Sequence, residues 1–311
     1  MKGLELAERY YYDVGRPAIE AAFPELLPML AAGLAGEGSE CFGYDDEISR
    51  DHDFGPGFCV WLPIEILDGY GERLERLYDS LPKEYAGFPA RAQSRQGSGR
   101  TGFMSIGAFY ARFLGGMQPP RSDSEWMAMR EEDLASAVNG KVFEDNLGEF
   151  TRIREAVAAY YPEKVYLRRL AGCLHRLSQS GQYNYARSMR RGDTMAARMA
   201  EDVFIRETLQ LAHLLEHRYM PYYKWAWRSF TELEISAKLE APLRELTGAP
   251  VQTAAWNETA DPYINRADVK VRLIEEICAV LLEELEKRGL AEGRETFLDA
   301  HVDGIMARIR R

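Results

Sequence analysis

The sequence is poor in cysteine, and the few it has are scattered. Cys41, Cys59, Cys173 and Cys278 are the four in 311 residues, and no two lie close together. Zinc-type spacing and a redox pair are therefore excluded, and buried free thiols in a reducing compartment are expected. Long apolar runs are missing too. No window approaches the roughly eighteen residues of a membrane helix, and the N-terminal MKGLELAERYYYDVG is charged throughout, without the apolar core of a signal peptide. A cytoplasmic protein with no membrane association is the expectation. Basic residues are outnumbered as well: 39 Lys and Arg against 49 Asp and Glu leave a formal net charge of -10. A general grip on long nucleic acid needs clustered cations that displace counterions, so a polymerase on long templates is not expected. Of the five histidines, His52, His175, His213, His217 and His301, only His213 and His217 stand at ligand spacing, and they lack a third partner.

What is present is a soluble, globular composition, 46% hydrophobic and 28% charged, long enough for two ordinary domains. Chemistry gathers in the stretch from Leu34 to Leu62. Gly38 and Ser39 form a Gly-Ser pair, and after eleven intervening residues come Asp51, His52 and Asp53, followed by the apolar, β-prone run Phe58 to Leu62. If Asp51 to Leu62 is a strand, side chains two apart share a face, so both carboxylates point one way and His52 the other. Two adjacent carboxylates repel unless a cation lies between them. Magnesium (or manganese) suits them, because it takes oxygen ligands and is usually held by one or two carboxylates together with substrate phosphates. The missing Cβ at Gly38 lets a phosphate approach the backbone amides, and the Ser39 hydroxyl can donate to it.

A Gly-Ser pair followed about a dozen residues later by Asp-x-Asp resembles the signature of the polymerase-β-like nucleotidyltransferase superfamily, although Glu37 stands where that pattern has an apolar residue. The resemblance implies that Asp51 and Asp53 hold the metals that bind a nucleoside triphosphate. The wider segments GSECFGYDDEISRDHDFGP, NGKVFEDNLGEFTRIREAV, GQYNYAR with RRGD, and LLEHRYMPYYKW resemble the DUF4037 domain proteins, nucleotidyltransferase-like, over about residues 5 to 235. A more distant similarity is to aminoglycoside nucleotidyltransferases, where a Lys-Trp pair on the helical domain helps bind nucleotide phosphates; Lys224 and Trp225 match it.

Along the chain, the pattern predicts an α+β or α/β first domain, residues 1 to 150, with a mixed sheet flanked by helices. An all-helical domain, residues 151 to 311, is expected to close the cleft. Strands are predicted at Met29 to Ala35, Asp51 to Leu62, Thr101 to Ile106 and KVFED; helices at Ile64 to Leu81, Gly107 to Leu114, Trp126 to Asn139 and Phe150 to Tyr161. Asp45, Asp46 and Glu47 read as helix-start acids, ahead of a direct metal role. Arg91, Arg95 and Arg100 lie in a Gly- and Ser-rich loop, where solvated charge is expected ahead of phosphate contact. Beyond Pro162, Gly181 is read as a break and Gly192 as a stop. Val203, Leu211, Leu214 and Leu215 are read as the core face of a helix, and Asp268 to Arg288 as a capped amphipathic helix.

The third carboxylate usual in the superfamily is not found at TGFMSI, where Ser105 is the polar residue. Asp145 is either that acid or a turn former before Asn146. Lys224 either neutralises phosphate or snorkels from a helix end. Arg187 and Arg190 can meet phosphate or a base, with Gln182 and Asn184 offering amide hydrogen bonds; structural bonding between helices explains them nearly as well. Glu216 is a candidate general base, with a solvated or paired acid as the alternative. The expected reaction moves a nucleoside monophosphate from a triphosphate, ATP by preference, to a hydroxyl of a small molecule or protein, releasing pyrophosphate. The rivals are a catalytically inactive nucleotide-binding sensor and a helical partner-binding protein.

Overall fold

The computed structural model describes residues 1–50, 53–91, 99–257, 261, 264–293 and 295–309. They form two compact units, Met1–Tyr160 and Tyr161–Arg311.

The first unit is α+β. Its four-stranded sheet runs β3-β2-β1-β4, with β1 (Ala31–Leu34), β2 (Cys59–Leu62), β3 (Gly102–Ser105) and β4 (Lys141–Asp145). β1 is antiparallel to both β2 and β4, whereas β2 and β3 are parallel. Parallel neighbours need a crossover, and α3 (Ile64–Ser80) supplies one between β2 and β3. All residues of β1 and β2 are buried. This explains why CVWL reads as a continuous apolar run rather than an alternating one.

Side chains leave β2 on two faces. Phe58, Val60 and Leu62 join Tyr10 of α1 (Gly3–Tyr10), Ile19 of α2 (Arg16–Ala22) and Leu74 of α3 in one core cluster. On the other face the Trp61 ring stacks on Phe150, with centroids 3.9 Å apart, and meets Phe109 edge-on at 5.3 Å. Phe109 belongs to α4 (Ile106–Leu114) and Phe150 to α7 (Glu149–Ala158). That stacking ties α7 to the sheet and carries the first unit past residue 150 to Tyr160. The polar residue of TGFMSI has a local role: Ser105 Oγ accepts from the Ala108 N–H and caps α4. The single helix expected over 126 to 139 is two, α5 (Asp123–Ala128) and α6 (Glu131–Val138), because Met129 and Arg130 are extended.

The second unit is built of helices and their connections, with no strand among its described residues. α8 (Glu163–Ser178) passes through a π-helical segment, Gln179–Tyr185, into α9 (Ala186–Arg190). Gly181 is therefore no break. A β-carbon there would overlap the Phe204 ring of α10 (Thr194–Leu215), so glycine is what allows the two helices to close. Gly192, with φ +75°, does end α9's turn, and Asp193 caps α10 through the Ala196 N–H at 2.9 Å. Leu211, Leu214 and Leu215 are buried, but Val203 is 43% exposed and lies with exposed Met195 and Met199 at helical spacing, outside the core. The unit continues with α11 (Tyr223–Phe230), α12 (Ser236–Gly248), α13 (Val269–Lys287) and α14 (Val302–Arg308). Asp268 caps α13 as expected, through the Lys270 N–H. The four cysteines are buried and free. Among the described residues no helix is long and apolar enough to cross a membrane.

Candidate functional site around the Gly38–Ser39 turn

The chain leaves β1 through a turn that begins at Gly36. Asn139 braces its start, accepting from the Gly36 N–H at 2.8 Å and donating to the Gly36 carbonyl at 2.7 Å. Gly38 has φ +114°, a left-handed conformation that favours glycine, and the space its Cβ would take is open except for Glu40 Cγ at 3.9 Å. The Ser39 carbonyl accepts from the N–H groups of Phe42 and Tyr44, closing the turn.

The Asp-x-Asp expectation needs correcting in its geometry. β2 starts only at Cys59, and Asp53 lies in a bend with φ +53°. Strand alternation therefore does not orient its carboxylate. Asp51 and His52 lie outside the described residues. The Asp53 side chain is 9% exposed, and its Oδ2 accepts from Arg100 Nη1 at 3.2 Å.

Two arginines then join Asp53 to the residues on either side of Gly38 and Ser39. Arg100 Nε lies 3.5 Å from Glu37 Oε2, which also pairs with Arg112 at 2.9 Å. Arg91 Nη1 donates to Glu40 Oε1 and to the Asp53 carbonyl, both at 2.6 Å. The expectation of solvated loop charge fails for Arg91 and Arg100, whose side chains are 7% and 23% exposed. Arg95 is outside the described residues. Burial pushes the Glu40 carboxyl above its ordinary range, with Arg91 pulling it back. Arg91 also lines a cavity of about 560 Å³ with Tyr10, Tyr78, Thr101 and Phe103.

The neighbouring acids have other duties. Asp45 is buried, accepts from the Gly3 N–H at 3.2 Å, and lies near Lys2 and Arg50. Asp46 Oδ1 accepts from the Ser49 N–H at 2.8 Å, beside the short turn Ile48–Arg50. Both Asp145 oxygens accept backbone N–H groups, from Gly148 at 3.0 Å and Thr151 at 2.7 Å, which is the bonding of a turn former at the start of α7. Among the described residues no three His, Cys, Asp or Glu side chains are grouped so as to hold a metal ion.

In the second unit the candidates are dispersed among structural tasks. The Gln182 amide is buried: its Nε2 donates to Glu275 and the Thr296 carbonyl, and its Oε1 accepts from the Leu298 N–H. Asn184 is exposed, and the Arg187 guanidinium lies 4.8 Å over the Tyr183 ring. Arg190 is half-buried at the end of α9. Glu216 accepts from the N–H groups of Glu234 and Ile235, tying the end of α10 to the turn before α12. Lys224 is exposed, its ammonium 5.3 Å from the Trp225 ring centroid. His213 is fully buried, with Nδ1 2.7 Å from the Leu209 carbonyl and Nε2 2.9 Å from Ser229 Oγ. Both its ring nitrogens are thus engaged, while the His217 ring packs edge-on against Tyr166.

Residues 126–226 match DUF4037, a domain of unknown function. The DUF4037 region is narrower than the likeness read from the sequence, and the Gly38–Ser39 turn and Asp53 precede it. No curated protein and no solved structure matches the chain. Glu40 was missed in the sequence, and Arg91 was weighed there only as solvated charge or a phosphate contact, not as the partner of Glu40. The only signal for Glu40 was its position directly after Ser39, and Arg91 carries no motif at all.

Proposed function

We propose that the first unit is a nucleotidyltransferase domain that binds a nucleoside triphosphate, ATP by preference, and transfers its nucleoside monophosphate to a hydroxyl with release of pyrophosphate. The observation that carries this reading is the bridge from Glu37, beside the Gly38–Ser39 turn, through Arg100 to the Asp53 carboxylate. It brings the open space beside Gly38, an acid and two partly exposed arginines, Arg100 and Arg112, to one place.

Asp53 and Glu37 present carboxylate oxygens, the donor class a divalent cation takes, on either side of Arg100. Asp53, with Asp51 as its expected partner, would hold magnesium, which when bound would supply charge neutralisation at the transferring phosphate. The chain's own groups do the rest. The open backbone at Gly38 admits phosphate oxygens, the Ser39 hydroxyl donates to them, and Arg100 and Arg112 can exchange Glu37 for phosphate in charge-assisted hydrogen bonds. Catalysis of this kind rests on positioning and charge screening rather than covalent chemistry.

A nucleotide-binding sensor is the second reading, favoured by the engagement of both acids of β4, Asp145 with the Gly148 and Thr151 N–H groups and Glu144 with Tyr11 and Arg16. Calorimetry with ATP and magnesium tests both readings, and an Asp53→Asn variant is expected to lose the magnesium-dependent part of binding. Release of labelled pyrophosphate then separates enzyme from sensor. Parental binding by Asp53→Asn would end both.

A further inference from the structure

Glu40 and Arg91 form an ion pair that the reaction itself does not use, with each side chain only 7% exposed. Burying two charges costs several kcal/mol of desolvation, and an apolar pair of similar volume often stabilises a fold as well or better. Something other than stability is the more economical reason for its geometry. The guanidinium contacts show what that is. Nη1 donates to Glu40 Oε1 and to the Asp53 carbonyl, while Nη2 donates to the Gly55 carbonyl at 3.1 Å. The backbone it grips is left-handed at Asp53, with φ +53°. Aspartate enters that region more readily than most side chains, and the bonds from Arg91 to the Asp53 and Gly55 carbonyls select it here.

We propose that Glu40 and Arg91 are positioning residues: Glu40 anchors the guanidinium beside the Gly38–Ser39 turn, and the guanidinium holds the Asp53 backbone so that its carboxylate meets the metal and triphosphate. The inference rests on the reading of Asp53 given above. A planar fork is required, because an ammonium is a point charge and cannot serve a carboxylate and two carbonyls in the same fixed geometry. Glu40 needs only an acceptor oxygen facing Nη1, which an amide also has.

The experiment uses the full chain and four proteins: the parent, Arg91→Lys, Glu40→Gln and Asp53→Asn. Circular dichroism reports folding, and calorimetry reports ATP binding with and without magnesium. Arg91→Lys is expected to bind ATP alone like the parent and to need roughly tenfold or more magnesium for the metal-dependent component, in line with losses when the support of a metal ligand is removed. Glu40→Gln is expected to stay within a few-fold of the parent, a rescue that a general loss of packing would not give. An unchanged magnesium requirement in Arg91→Lys, with Asp53→Asn impaired, overturns the clamp and leaves the nucleotide reading intact. An unchanged Asp53→Asn overturns both. Should Arg91→Lys not fold, Glu40→Ala carries the test, and a parental magnesium requirement in it overturns the clamp equally.

Discussion

Lys270 and Glu201 form an ion pair inside the helical unit, with the ammonium 2.7 Å from each carboxylate oxygen and both side chains almost wholly shielded from solvent. The pair fastens α13 to α10, and Arg198 adds a second cation on the carboxylate at 3.2 Å. Removing one partner of such a pair strands a buried charge. Lys270→Met is therefore expected to destabilise the protein by about 3 kcal/mol, the low end for buried pairs because Arg198 remains. Adding Glu201→Leu should recover most of the loss. Chemical denaturation checks this, and a double variant no more stable than the single one would show that the pair is not the source.

His213 sets a pH dependence. Burial holds its pKa down to about 4, with the hydrogen bond to the Leu209 carbonyl opposing. The folded chain keeps this imidazole neutral while the unfolded chain protonates near the ordinary value, about 6.5. Its contribution to stability is complete above that value and is lost as pH falls from there towards about 4. The loss is on the order of 3 kcal/mol. His213→Asn should be less stable than the parent at pH 7.5, with the gap narrowing at pH 5. A gap that does not change between the two would contradict the assignment.

Gly181 is the contact point of the π-helical segment with α10. Gly181→Ala is expected to cost about 1–3 kcal/mol by overpacking against Phe204. Shortening the ring in Gly181→Ala/Phe204→Leu should return part of it. Thermal unfolding of the three proteins decides the point, and a neutral Gly181→Ala would mean that α10 moves away freely.

Glu216 offers a test between structure and catalysis. Its two bonds to the Glu234 and Ile235 N–H groups predict that Glu216→Ala loses about 1–2 kcal/mol of stability and, under the proposed function, leaves turnover at the parental level. Turnover abolished at unchanged stability would instead restore Glu216 as a general base.

Much of the fold was legible in the sequence, and the reason differs by element. Strand β4 and helix α13 were marked by local chemistry, the Asp145 turn and the Asp268 cap, which act within a few residues. The break between α5 and α6 was hidden, because neither Met129 nor Arg130 signals extended backbone on its own. Gly181 carried the usual sign of a helix break, yet the partner that gives it meaning, Phe204, is remote in the chain. In the candidate site, Gly38, Ser39 and Asp53 were visible as a spacing, while Glu40, Arg91 and Arg100 became informative only once their partners were in view.

By itself the sequence determined the division into a sheet-bearing first unit and a helical second one, since hydrophobic periodicity and caps are local properties. It also determined which acids and glycines stand in the stretch from Gly38 to Asp53. Tertiary structure alone decided that Asp53 stands ahead of the strand in a left-handed bend, held through Arg91 and Arg100 to both sides of the turn. The physical reason is that a charge pair leaves no periodic trace in the chain: its partners are chosen by distance after folding, when burial makes an unpaired charge too costly to keep.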